Sequence, residues 1–446
     1  IPLLGAKGHK IGVVLSGGGA KGFAHIGVLK VLDSLGIKVD YIGGTSMGSV
    51  VGGLYASGYT GKQLDSLFHT INFDQLIRDY IPRSYKSFYE KRNDELYAVT
   101  LPFYKFNIGL PIALSKGMYN FNMLSKFTNH VRHIKNFNDL PTPFVCIATD
   151  VEHGKAVVFR EGCLAEAILA SSAFPSLFSP VYLNNKMLID GGVLDNYPVE
   201  EVKKMGADII IGVDVQDDLK NRALLKDATK IMVQISNLQM IDKMNQKVKL
   251  TNIYIKPDIK EYSVISFDDG NKIIKAGKNA ALEKLSELKK LTTHYTKPNL
   301  VECHNDTLTI DNIEITPMKN YTGSYILGKL GINKNHKITY SDFVKGINTL
   351  DATQNFSSIL YRFEKENNLE VLKIDLIENK VRTFLKFGLH YDGLYKSALL
   401  TNFTQKRMLF KNDVLSLDFG WGDNFRYNLD YFIDNGFHFS FGVKSR

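Results

Sequence analysis

Ser46 stands in Gly44-Thr45-Ser46-Met47-Gly48, between an apolar run, Val39–Gly43, and a helical run of small residues, Gly48–Ser57. G-x-S-x-G at the junction of a strand and a helix is the pattern of a nucleophile elbow. The two glycines relieve crowding at a sharp bend, and the bend lifts the serine hydroxyl above the sheet at a helix N-terminus. A second turn, Ser16-Gly17-Gly18-Gly19-Ala20-Lys21-Gly22, follows the strand-like Ile11–Ser16 and precedes a helical Phe23–Leu35. Consecutive glycines let several N–H groups point one way, and the helix adds its positive end. Such a nest holds an anion, either a phosphate or a developing oxyanion.

The glycine turn has rivals. Gly17, Gly19 and Gly22 also spell G-x-G-x-x-G. A dinucleotide site, however, wants an acidic residue at the end of the second strand, where this chain has Gly43-Gly44; Asp40 lies near the other end. A phosphate-binding Walker loop wants Ser or Thr after Lys21 and finds Gly22. The elbow on the next strand settles the choice for nucleophilic chemistry.

A serine nucleophile needs a base. Asp190, in Leu188-Ile189-Asp190-Gly191-Gly192, is the best candidate, because it ends an apolar run and is followed by two glycines that leave open approach. Asp195, in Asp195-Asn196-Tyr197-Pro198, is the alternative, better suited to organising its loop. A Ser-His-Asp triad in the chain order of the α/β-hydrolases needs a histidine after the acid. None follows Asp190 before His294. His25, inside the first helical run, reads as a packed histidine.

The elements that must hold these groups alternate. Strand-like Ile11–Ser16, Val39–Gly43, Phe144–Asp150, Asp208–Val215 and Asn252–Lys256 are separated by helical Phe23–Leu35, Gly48–Ser57 and Cys163–Ser171. That order predicts an α/β fold with a mostly parallel sheet over residues 8–260, closed by a lysine-rich helix over 271–290 within a helical linker, 261–305.

Gly17-Gly18-Gly19-Ala20-Lys21-Gly22, Gly44-Thr45-Ser46-Met47-Gly48 and Asp190-Gly191-Gly192 together resemble the three defining blocks of the patatin-like phospholipases, and Ala170-Ser171-Ser172-Ala173-Phe174-Pro175 resembles a fourth. The resemblance implies the three-layer patatin-like fold and lipid acyl hydrolysis by a Ser–Asp dyad without metal or cofactor. It makes Ser46 the nucleophile, Asp190 the base, and the amides of Gly17, Gly18 and Gly19 the oxyanion hole, with Gly44 and Gly48 shaping the elbow. Lys21 stands where the family has Arg or Lys and is either a helix-start lysine or a contact for the substrate phosphate.

Two further zones follow. Residues 306–378 read as strand Leu308–Ile315, helices Tyr321–Leu330 and Ser341–Leu350 with Ser341 as N-cap, then strands Phe356–Phe363 and Leu369–Ile377. This zone resembles a polypeptide-transport-associated (POTRA) domain. From 381 the chain alternates strictly: Leu415, Leu417, Phe419 and Trp421 against Ser416, Asp418 and Gly420, and Phe437, Phe439, Phe441 and Val443 against His438, Ser440 and Lys444. Fifteen of the 66 residues of 381–446 are aromatic and no proline follows Pro317, as an unbroken ladder of strands requires. One aromatic face and one polar face is the pattern of a transmembrane β-barrel wall. A soluble sheet with one wet face is the alternative. With Leu385–Tyr391, Leu399–Phe403 and Phe425–Ile433 there are five such runs, short of the eight strands that close a membrane barrel. The expectation is therefore an incomplete set of barrel strands, or a soluble sheet.

Hydrolase, POTRA-like domain and barrel strands in that order resemble the patatin-type autotransporters. The layout implies the outer membrane of a Gram-negative bacterium, with the hydrolase domain periplasmic or surface-exposed. The alternative is a non-enzymatic transport or scaffolding module with a vestigial passenger. Lys plus Arg exceeds Asp plus Glu by 55 − 46 = 9, a surplus that favours anionic surfaces. The expected partner is membrane phospholipid rather than nucleic acid; a homodimer is left open. Within 81–119, Arg83, Tyr85, Lys86, Phe88, Tyr89, Lys91, Arg92, Phe103, Tyr104, Lys105 and Phe106 mix basic and aromatic types as a headgroup interface would. Cys146, Cys163 and Cys303 form no CxxC pair or zinc spacing, so neither a disulfide framework nor a metal site is expected. No run of apolar residues is long enough for a membrane-spanning helix.

Overall fold

The computed structural model describes residues 8–104, 107–109, 112–219, 221–223, 225–226, 228–300, 307–392, 396–436 and 439–446. The expectations placed on Lys105, Phe106, Cys303, Phe437 and His438 lie outside these. The chain divides into two compact units, one of residues 1–78 and 120–303, the other of residues 79–119 and 304–446.

The first unit is built on an eight-stranded sheet. Strands Ile253–Ile255, Ile209–Val213, β1 (Ile11–Leu15), β2 (Tyr41–Thr45) and Phe144–Asp150 run parallel in that order. Antiparallel Lys186–Asp190, with Val181–Leu183 beyond it, and Lys155–Phe159 complete the sheet. β1 is buried along its whole length, as a parallel strand covered on both faces must be. Its alternation assigns the faces. Val14, with Val145 and Ile210, packs on Val199 and Val202 of the helix Val199–Lys204. Leu15, Ile42 and Phe144 face the opposite way, against α2 (Met47–Ala56), where a Cβ on Gly52 would touch all three. The result is the expected three-layer α/β arrangement, with α1 (Phe23–Ser34) beside Gly270–Glu283.

In the second unit the expected strand Leu308–Ile315 is two strands. Thr307–Ile310 pairs with a strand that sequence reading missed, His336–Thr339, while Asn312–Ile315 runs parallel to Leu369–Glu378. Leu369–Glu378 also pairs antiparallel with Phe356–Glu366. Helices Gly323–Leu330 and Tyr340–Ala352 accompany them. The cap of the latter is Thr339, whose hydroxyl accepts the Asp342 N–H at 3.0 Å, and not Ser341. Thr339 is the hydroxyl residue with extended backbone, as an N-cap requires.

The remaining strands, Thr383–Asp392, Lys396–Lys406, Asp413–Gly422, Arg426–Ile433 and Phe441–Ser445, form one antiparallel meander. Val99–Tyr104 pairs with Thr383–Phe387, and Asn107–Ile108 pairs with Val99–Tyr104, so the sheet has seven strands. Its faces are inverted relative to a soluble sheet. Ser416 is 0% exposed and Asp418 7%, whereas Leu389 is 85% exposed and Phe441 65%. Helix Phe88–Leu96 lies over the polar face: Arg92 reaches Asp418 at 2.6 Å and also Asp430, and the Tyr97 hydroxyl donates to Asp418. Polar groups inward and apolar groups outward is the arrangement of a barrel wall in lipid. The headgroup reading of 81–119 changes accordingly. Arg92 is held by two carboxylates, Arg83 pairs with Glu95, and part of the segment is strand.

Candidate active site

β2 ends at Thr45 and α2 begins at Met47, leaving Ser46 alone to make the turn. It does so at φ 55° and ψ −127°, a conformation that L-residues rarely adopt. The bend is possible because its neighbours lack side chains. A Cβ on Gly48 would lie 2.2 Å from the Leu15 carbonyl oxygen, and one on Gly44 would lie 2.2 Å from that of Gly48. The Ser49 hydroxyl donates to the Ser46 carbonyl at 2.6 Å and stabilises the first turn of α2.

The Ser46 hydroxyl donates to Asp190 Oδ2 at 2.5 Å. Asp190 ends the antiparallel strand that pairs with Phe144–Asp150, which brings it back to the mouth of β2. Its other oxygen accepts the Gly192 N–H at 2.7 Å. The carboxyl is 3% exposed, and burial pushes its pKa up to about 6, against the opposing pull of the Ser46 and Gly192 hydrogen bonds. Among the described residues no histidine meets either side chain. His25 is buried on the Ser16 carbonyl (2.8 Å), and burial pushes its pKa down to about 4. His294 is exposed.

Block 170–175, read only by resemblance, has a physical task here. Ser171 Oγ accepts the Ser46 N–H at 3.1 Å, and the Ala173 carbonyl accepts the Asp190 N–H at 2.9 Å. One short stretch thus holds the backbone of both side chains that meet.

The glycine turn lies against the nucleophile: a Cβ on Gly17 would come within 2.8 Å of Ser46 Cβ. Its three glycines differ. The Gly17 N–H is taken by Asn196, through Oδ1 at 3.1 Å and the main-chain oxygen at 3.2 Å. Gly18 and Gly19 have N–H groups with no acceptor among the described residues, and Gly19 adopts φ +56°. Lys21 does not face a substrate phosphate. It is 1% exposed and paired with Asp217, so it fixes the loop after the strand Ile209–Val213. Sequence reading could not see this pairing, because the partners are 196 residues apart. Asp195 organises its loop: its carboxylate meets Lys247 at 2.6 Å and the Tyr197 N–H at 3.2 Å, and its carbonyl accepts from Thr45 Oγ1.

Residues 13–203 match the family model of the patatin-like phospholipases, and residues 370–446 match that of the OMP85 superfamily. The chain is 34% identical over 207 residues to lysophospholipase NTE1 of Meyerozyma guilliermondii and 32% identical over 216 residues to that of Yarrowia lipolytica. These matches take in 46% and 47% of this chain but only 12% and 13% of those relatives. The solved structure of VipD from Legionella pneumophila aligns with 63% of this chain and 67% of its own, at 16% identity and a TM-score of 0.36. The chain therefore joins a patatin-like phospholipase domain to a C-terminal OMP85-superfamily segment.

Proposed function

We propose that the chain is a lipid acyl hydrolase of the phospholipase A type, acting through Ser46 and Asp190 on fatty-acyl esters of membrane phospholipids. The observation that carries this reading is the Ser46 hydroxyl on a buried carboxylate, at an elbow held under backbone strain. A carboxylate with a pKa near 4 is a feeble base for an alcohol; burial moves Asp190 to about 6, closer to working pH. As Ser46 Oγ bonds to the acyl carbon, its proton passes to Asp190 Oδ2 and the carbonyl electrons move onto oxygen. The open N–H groups of Gly18 and Gly19 are suited to that oxyanion, and each such donor is typically worth roughly 3–4 kcal/mol. Collapse breaks the ester C–O bond, and Asp190 returns the proton to the leaving glyceryl oxygen. Water, deprotonated by the same carboxylate, then attacks the acyl-serine; the bond from the acyl carbon to Ser46 Oγ breaks, Asp190 returns the proton to that oxygen, and the fatty acid leaves. No metal or cofactor enters these steps.

The C-terminal sheet supports placing the chain at an outer membrane, with its apolar face toward lipid, and residues 306–378 are the POTRA-like domain that precedes it in the chain. The lysophospholipase relatives support a lipid ester as substrate. Mass spectrometry of defined phospholipids incubated with purified protein tests the proposal. Free fatty acid and lysolipid should appear with wild type and not with Ser46→Ala. Products that persist in Ser46→Ala remove the serine from the mechanism.

A further inference from the structure

We infer that Asn196 is a positioning residue, one that aims the oxyanion loop at Ser46 and ties that loop to the turn carrying the base. This rests on the acyl-hydrolase reading above. Asn196 lies six residues after Asp190 on the same turn and is 8% exposed. Its side-chain oxygen accepts the Gly17 N–H at 3.1 Å, while its amide nitrogen donates to Gln216 Oε1 at 3.0 Å and, more weakly, to the Gly17 carbonyl at 3.4 Å. The Gly17 N–H can face only an acceptor, which fixes the sense of the amide. Gln216 is itself anchored, since its main-chain and side-chain N–H groups both reach Asp214 Oδ1 at 3.0 Å.

The consequence follows from peptide geometry. In a trans peptide the C=O of one residue and the N–H of the next point in opposite directions. A Gly17 carbonyl turned toward Asn196 therefore aims the Gly18 N–H away from Asn196. Glycine resists rotation of its peptide planes less than any other residue, so a run of three needs an external grip to keep its donors in one orientation. Asn196 supplies that grip at the closest point of the loop, where a Cβ on Gly17 would lie 2.2 Å from its Oδ1. Without the amide, the Gly17 N–H keeps only the Asn196 main-chain oxygen at 3.2 Å, and the Gly17–Gly18 peptide loses the 3.4 Å bond to its carbonyl, so it turns more readily to present an oxygen where a donor is required.

The test is steady-state hydrolysis of a short soluble p-nitrophenyl ester by the full chain. Asn196→Ala should lower kcat about 100-fold, as loss of an oxyanion donor does, while KM stays within about threefold. The acid limb of the pH profile should not move, because the Ser46–Asp190 bond is untouched. Binding of an alkyl trifluoromethyl ketone, whose hemiketal oxygen mimics the oxyanion, should weaken in step with kcat/KM. Gln216→Ala, which leaves Asn196 in place but slackens it, should lower kcat about tenfold in the same pattern, and it serves where Asn196→Ala does not fold. Wild-type hydrolysis with an unchanged kcat per folded molecule in these variants, or a change in KM alone, overturns this inference and leaves the acyl-hydrolase reading standing. A wild-type chain that neither hydrolyses the ester nor takes a fluorophosphonate on Ser46 overturns both.

Discussion

Ser46 and Asp190 are 144 residues apart in sequence and 2.5 Å apart in space, the serine hydroxyl donating to a carboxylate that burial holds near pKa 6. Only the ionised carboxylate accepts the proton from Ser46, so kcat/KM on a neutral soluble ester should rise with pH, reach half its maximum at about 6 and level off above. A plateau that continues down to about pH 4 means the base is another group or an unperturbed carboxylate.

The same shift makes a stability prediction of known sign. The folded state holds the Asp190 proton more tightly than the unfolded state does. The stabilisation is therefore complete below about 3.8 and lost as pH rises through about 6. At pH 7 the buried charge costs up to about 3 kcal/mol. Asp190→Asn keeps the shape without the charge. It should abolish turnover by orders of magnitude while raising the melting temperature, with a gain that grows between about pH 4 and 7. Equal melting temperatures for mutant and wild type across that range would show that the carboxyl is not buried as charge.

The backbone of Ser46 carries a separate expectation. Its φ of 55° and ψ of −127° suit glycine, and a side chain there costs about 1–3 kcal/mol. Ser46→Gly and Ser46→Ala should both lose turnover and fluorophosphonate labelling. Ser46→Gly should be the more stable by about 1 kcal/mol, after allowing for the added freedom of its unfolded chain. Denaturant titration of the two side by side decides it, and an alanine variant as stable as the glycine one removes strain from the account.

What could be read in the sequence was local. The elbow, the glycine turn and the turn after Asp190 each lie within a few residues, and the buried strands of the first unit are unbroken apolar runs. The polar-in, apolar-out alternation of 381–446 was legible because side chains alternate at period two. What escaped depends on distant partners. Val99–Tyr104 is a strand because Thr383–Phe387 offers an edge, and its own short pattern, interrupted by Pro102, gave no alternation to read. Lys21 reads equally as a helix-start lysine or a phosphate contact because Asp217 stands so far along the chain, and nothing near Asn196 in sequence signals its bond to Gly17, which spans 179 residues. Thr339 and Ser341 are chemically equivalent as caps, and only the backbone chooses between them.

Lys21 yields a prediction opposite to the one a headgroup contact would give. Removing one partner of a buried ion pair leaves the other charge without compensation. Lys21→Met should destabilise the first unit by about 3 kcal/mol. The ratio of rates on anionic and zwitterionic phospholipids should be the same as in wild type, since the lysine does not reach the substrate. A selective loss of anionic substrate, with stability unchanged, would return Lys21 to the binding site.

The inverted sheet can be tested with a reporter that the chain already contains. Trp421 is its single tryptophan and sits on the apolar face, 51% exposed, in line with Phe419 and near Phe425. If that face meets lipid, mixing the chain with phosphatidylcholine vesicles should shift Trp421 emission to the blue, and lipids brominated on their acyl chains should quench it. Leu389, on an outward position of Thr383–Asp392, gives the energetic counterpart. Leu389→Arg places a charge against hydrocarbon and should weaken folding into vesicles by about 2–4 kcal/mol if the residue lies near the bilayer midplane. In water the same substitution replaces an exposed apolar side chain with a charged one and should leave stability nearly unchanged. On the polar face the order reverses. Asn402→Leu breaks the bonds to Ser416 and Asp418, at 2.7 and 2.6 Å, and leaves buried polar groups without partners, so it should destabilise the sheet in either medium. Trp421 emission that neither shifts nor quenches, together with a harmless Leu389→Arg in vesicles, assigns the apolar face to a protein partner instead of lipid.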